Sequence, residues 1–150
     1  MGVHSNAVGG IYPVELTLNE TSVSDTKVHF VGMTISRTTS DRLELDIFDK
    51  RAEFPFKVIR YPHMDSDIPK SIPMGVFTGG LHRLYRICNT VVPFLNRSLA
   101  LASLLEEKRV TRHQLWKLFR RFLELQQPLR WRRSVSSLCR LFTRWLYHPT

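Results

Sequence analysis

The spacing of apolar residues changes character along this chain, and that change limits the fold more than any other feature. Val28, Phe30 and Gly32 alternate with His29, Val31 and Met33, and Leu43, Leu45 and Ile47 fall on one face of a following segment. A two-residue period is that of a strand, so 28–35 and 43–49 read as a hairpin with Phe30 as its inward anchor. Glu15–Asn19, carrying Leu16 and Leu18, adds a strand, with turns at 19–26 and 36–42. Lys57–Tyr61 is a further extended segment bracketed by Pro55 and Pro62. Three or four antiparallel strands with one apolar face require a covering layer.

From residue 73 onward the period becomes three to four residues. Pro73 suits the first turn of a helix reaching about Asn89, with Phe77, Leu81, Leu84, Tyr85 and Cys88 in one stripe. The Gly79-Gly80 pair predicts either a break or a close backbone approach. A second helix spans about 92–108, with Leu95, Leu99, Ala102 and Leu105. Thr111 and Gln114 form a capping-box pattern for a third over 112–126, lined by Leu115, Leu118, Phe119 and Phe122, and Pro128 stops it. Ser134 or Ser136 caps a last helix to Tyr147, with Leu138, Leu141, Phe142 and Trp145 turned inward. The expected fold class is α+β: a loose lead-in over 1–10, a sheet unit over 11–70 and a helical unit over 71–150.

Charge follows the same division. Residues 1–75 hold 8 Lys and Arg against 10 Asp and Glu, whereas residues 76–150 hold 14 against 3, so the net +9 belongs to the helical half. Twelve of those 14 are arginine, which suits two-pronged phosphate contact. Arg120 and Arg121 lie on the third helix; Arg130, Arg132 and Arg133 follow it; Arg140 and Arg144 form an (i, i+4) pair on the fourth. Trp116, Trp131 and Trp145 are interleaved with them and offer ring faces to bases, although Trp116 and Trp145 taken singly read as core. A polyanion is the partner such a half favours; an acidic protein partner or an anionic membrane surface is the alternative.

Several adjoining segments resemble the C-terminal part of the reverse transcriptases of eukaryotic retroelements. The paired Val28–Ile35 strand, with its hydrophobe-Phe-hydrophobe-Gly pattern, is similar to their primer-grip hairpin, and 46–63 is similar to the segment after it. Ile72-Pro73-Met74-Gly75-Val76-Phe77, then Leu81, Arg83, Tyr85 and Cys88, resembles their next segment and basic helix, with Met74 where Tyr is common. Ile11–Asn19 upstream, and Arg112-His113-Gln114-Leu115 with Phe119 and Phe122 downstream, extend the likeness over roughly residues 11–125. The resemblance implies the end of a palm followed by a thumb, belonging to an RNA-directed DNA polymerase of which this chain is a fragment or remnant. It implies contact with RNA or DNA, as an RNA–DNA hybrid or duplex backbone, and with the missing palm and fingers. The residues it assigns to nucleic acid, together with the charge reading, are Phe30, Gly32, Lys50, Arg51, Arg83, Arg86, Arg112, Arg120, Arg121, Arg130, Arg132, Arg133, Arg140 and Arg144.

The chemistry of a polymerase is not written here. Two-metal phosphoryl transfer needs closely placed carboxylates, and no Asp-Asp pair occurs in the sequence. Mg2+ is therefore expected only for a complete parent enzyme, and this chain is read as having no catalytic, cofactor or metal residues of its own. His63, Asp65 and Asp67 match no zinc or calcium spacing and read as a polar loop. Cys88 and Cys139 read as buried reduced thiols. No apolar run reaches the roughly 18–20 residues of a membrane span, and an intracellular protein, nuclear or cytoplasmic, is the expectation.

Overall fold

The computed structural model describes residues 22–56, 61 and 63–147. Four strands form one antiparallel sheet in chain order: β1 (Ser22–Ser24), β2 (Lys27–Phe30), β3 (Met33–Arg37) and β4 (Leu43–Ile47). A 3-10 turn at Lys50–Glu53 leads away from it. Four helices follow: α1 (Ser71–Ile87), α2 (Val91–Glu106), α3 (Arg112–Leu125) and α4 (Val135–Tyr147). The class is α+β, as the two periods of the sequence require. Among the described residues no helix is long and apolar enough to cross a membrane.

The run Val28–Ile35 is not one strand. The chain reverses at Val31-Gly32, so that β2 pairs back onto β3 with Phe30 opposite Met33 and Val28 opposite Ile35. Both turn residues have positive φ, 44° at Val31 and 75° at Gly32, the backbone of a two-residue turn whose twist matches its strands. Glycine adopts it freely, whereas a β-branched valine is strained there. Reversal also undoes the expected faces: Phe30 is not an inward anchor but stands 61% exposed beside Val31 at the hairpin tip. The true pair of 43–47 is β3, in register from Met33–Ile47 to Arg37–Leu43. The strand expected at 15–19 lies outside the described residues, as do positions 57–60 of the segment expected at 57–61.

The helices match their periodicity closely. Pro73 and Pro93 both occupy the third position of a helix, where no intrahelical N–H bond is lost. The Thr111–Gln114 capping box is formed in both directions, and the Ser137 N–H donates to Ser134 Oγ at 3.1 Å to start α4. Gly79-Gly80 does not break α1. A Cβ built on Gly80 would collide with the Leu101 side chain, so this glycine lets α1 and α2 close on each other.

The core lies among the helices. Phe77, Leu81 and Leu84 from α1 meet Phe94, Ala102 and Leu105 from α2, and Leu115, Phe119 and Phe122 from α3, with Leu138 and Phe142 closing it from α4. Phe94 sits within about 6 Å of the rings of Tyr85, Phe119, Phe122 and Trp131. Trp145, expected inward, is 53% exposed, because the buried stripe of α4 runs through Leu138, Cys139, Phe142 and Leu146 instead.

Among the described residues of the sheet only Thr34 is buried, so the sheet is held chiefly through its β4 edge. There the Asn89 side chain stands in for a missing strand: its Oδ1 accepts from Leu45 N–H at 2.9 Å and its Nδ2 donates to Leu43 C=O at 2.7 Å. Thr90 Oγ1 donates to Glu44, and Arg97 grips both oxygens of Asp46 at 2.7–3.1 Å. Three side chains of the α1–α2 junction and α2 thus tie the sheet to the bundle.

Chemical denaturation should rank three variants by these environments. Phe119→Ala, fully buried, should lose about 3–5 kcal/mol, while Phe30→Ala should change stability by less than about 0.5 kcal/mol. Val31→Asn, which accepts positive φ, should gain roughly 1 kcal/mol by relieving the turn. A Phe30 variant as damaging as the Phe119 variant would contradict the exposed hairpin tip.

Candidate nucleic-acid interface

The arginines of the helical half are not equivalent once folded. Arg97 is committed to Asp46, whose hydrogen bonds hold its guanidinium more firmly charged than usual. Arg109 pairs with Asp65 at 3.1 Å, and Asp65 also meets His63 Nδ1 at 3.3 Å, so the polar loop is tied to the end of α2. No group of three metal-ligating side chains forms among the described residues.

Arg130, which is exposed, and Trp131, both expected at the nucleic-acid surface, also make contacts within the fold. Arg130 N–H donates to Tyr85 Oη at 3.1 Å, its guanidinium donates to the Cys88 carbonyl at 3.3 Å, and its Cζ lies 5.0 Å from the Tyr85 ring centroid. Trp131 Nε1 donates to the Asn89 carbonyl at 3.0 Å while its ring packs on Phe94. Together they pin the α3–α4 loop across the end of α1. Arg132 takes a positive φ of 53° in that loop, and Arg133 borders an apolar groove between α2 and α4.

Four of the expected residues do converge. α3 and α4 run antiparallel, so that the row Arg112, Trp116, Arg120 on α3 faces Arg140, Thr143, Arg144 and Tyr147 on α4. Between them is an open groove of about 730 Å³, lined by Trp116, Cys139, Arg140, Thr143, Arg144 and Tyr147. Two rings in this region each carry a guanidinium: Arg120 Cζ is 5.6 Å from the Trp116 centroid and Arg112 Cζ 5.7 Å from that of Tyr147. Such contacts hold flat cations over flat rings. Arg112 and Arg120 are further steadied by Glu106 and by Glu124, the latter at 2.8 Å. Arg140 and Arg144 have no ion pair among the described residues, and α4 carries no carboxylate. Cationic charge is therefore uncompensated along the α4 wall.

The remaining expected residues lie elsewhere. Arg83 on α1 lies at the hairpin turn, its Nη2 3.4 Å from where a Cβ on Gly32 would be, which brings Gly32 and Arg83 together at the turn that the exposed Phe30 precedes. Lys50 is exposed in the 3-10 turn, Arg86 and Arg121 are exposed on α1 and α3, and the Arg51 side chain lies outside what the structure describes. The spacing of charges along the sequence missed Tyr147. The signal was available as its place three residues after Arg144, one turn along the same face.

Comparison with protein families, curated proteins and solved structures gives no match for this chain.

Neither cysteine is placed to react. Burial pushes the Cys88 thiol up to about 12, with Asp46 adding to it, and raises Cys139 as well; both are free and buried. An aromatic disulfide reagent at pH 8 should leave both thiols unmodified in the folded protein and titrate both in denaturant. Prompt reaction of either native thiol would contradict this packing.

Proposed function

We propose that this protein is a sequence-nonspecific nucleic-acid-binding module without catalysis of its own, gripping phosphates along the α3–α4 groove. The observation that carries the reading is the meeting of Arg112, Arg120, Arg140 and Arg144 around two aromatic rings, with no carboxylate on the α4 wall. Guanidinium groups on a rigid helical surface bind phosphate oxygens without reading bases, since the backbone is the same at every step. The resemblance to reverse transcriptases supports the same reading: the helical half would hold the backbone of the template strand, and the hairpin tip with Phe30, Gly32 and Arg83 would touch the primer. Without the paired aspartates, the chain grips and does not polymerise.

A second reading rests on a different surface. Val91, Val92, Leu95, Leu99, Leu141 and Trp145 line an apolar groove between α2 and α4 with Arg133 at its rim. That chemistry suits an acidic amphipathic segment of a protein partner.

Fluorescence anisotropy with a labelled oligonucleotide across a salt series tests the first reading. If roughly 4–6 phosphates are neutralised, log affinity should fall against log salt with a slope of about −3 to −5. Arg140→Gln with Arg144→Gln should make that slope shallower by about 1–2, and binding indifferent to salt would overturn the proposal. In a primer-extension assay with Mg2+ or Mn2+, no nucleotide should be incorporated; template-dependent incorporation by the purified chain would contradict the non-catalytic reading.

A further inference from the structure

We infer that the α3–α4 groove takes single-stranded nucleic acid in preference to duplex, with bases stacked on Trp116 and Tyr147. The inference rests on the reading above and adds the substrate class. Phosphate contact alone explains arginines; it leaves unused the ring surface of Tyr147 and of the half-buried Trp116, which also packs on the core and beside His113. A duplex hides the faces of its bases, so rings at a binding surface gain little from it, whereas an unpaired strand offers every base face.

The dimensions point the same way. α3 and α4 are in contact through the Phe119–Phe142 stack, so the groove is a surface furrow above that contact, where a base reaches Trp116 or Tyr147 only when its face is free of a duplex stack. Along α3, residues 112, 116 and 120 rise about 6 Å per step. A stacked strand advances about 3.4 Å per nucleotide, so a ring set between successive bases stretches it to a similar step of about 7 Å. Tyr147 and Trp116 occupy successive steps of the facing rows, each with its arginine, and Arg140 and Arg144 border the same track. Tyr147 is 43% exposed. Thr143 Oγ1 already donates to the Cys139 carbonyl at 2.8 Å, and the other hydroxyl of the lining, that of Tyr147, belongs to a ring assigned to stacking, so neither is assigned to a sugar and the track should not distinguish ribose from deoxyribose.

The test uses the full chain with fluorescein-labelled oligothymidylate, oligouridylate and a blunt DNA duplex of equal phosphate count at about 0.1 M salt. Both single strands should bind alike and at least about 10-fold more tightly than the duplex, with quenching of tryptophan fluorescence. Tyr147→Ser, exposed and tolerant, should lose about 5-fold or more on the single strands and less than twofold on the duplex. Trp116→Leu should do the same, with Trp116→Tyr restoring a ring and most of the affinity; thermal melts identify any variant that fails to fold, in which case Tyr147→Ser decides. Equal or tighter duplex binding, ring variants that weaken both substrates equally, or a ribose preference above about 10-fold would overturn the inference while leaving the phosphate-gripping reading in place. Binding to none of the three would overturn both.

Discussion

The sheet of this protein depends on a seam of polar side chains along one strand. Four short strands, of whose described residues only Thr34 is buried, bury too little apolar surface to stand alone. Asn89 completes the β4 edge with a donor and an acceptor at strand-like distances, and Arg97 clamps Asp46 from the next helix. The same short link between α1 and α2 also receives Trp131, through the Asn89 carbonyl. Sheet docking, the α1–α2 turn and the α3–α4 loop therefore meet at one residue. Loss of either amide contact would leave a backbone group of β4 without its partner, which is costlier than loss of an exposed ion pair.

The bundle is governed differently, by aromatic packing around Phe94 and by one glycine. Because Gly80 admits Leu101, α1 and α2 close tightly, and Phe94 is brought among Tyr85, Phe119, Phe122 and Trp131. Phe119 in turn stacks on Phe142 at 4.0 Å, which fixes α4 against α3. The groove walls are set by that stack: rows facing each other across α3 and α4 hold their positions because the residues behind them are locked in the core.

Helices were legible in the sequence because their signals are local and agree with one another. A buried stripe, a capping box and a proline just past the last turn all name the same boundaries for α3, and the structure departs by a residue or so. The hairpin was not legible, because Val31 contradicts the turn chemistry its position demands; an Asn-Gly pair would have announced the reversal. Trp145 was misplaced for a geometric reason. Residues three and four beyond Phe142 are both compatible with a 3.6-residue period, and the neighbouring helices cover the side of Leu146. The groove itself was half legible. Its arginines stand out in composition, yet which of them meet depends on the pairing of two helix faces, and Arg130 is also tied by its backbone to a tyrosine 45 residues away.

The way the sheet ends has a bearing on self-association. Unpaired strand edges recruit other chains, and long flat edges are the dangerous ones. On the β4 side the edge is occupied by a side-chain amide that no incoming strand displaces without breaking the seam. On the other side β1 is three residues long, and its register with β2 slips between Ser22 and Ser24. Among the described residues the ladder is plugged at one margin and short and irregular at the other, which makes it a poor seed for fibrils.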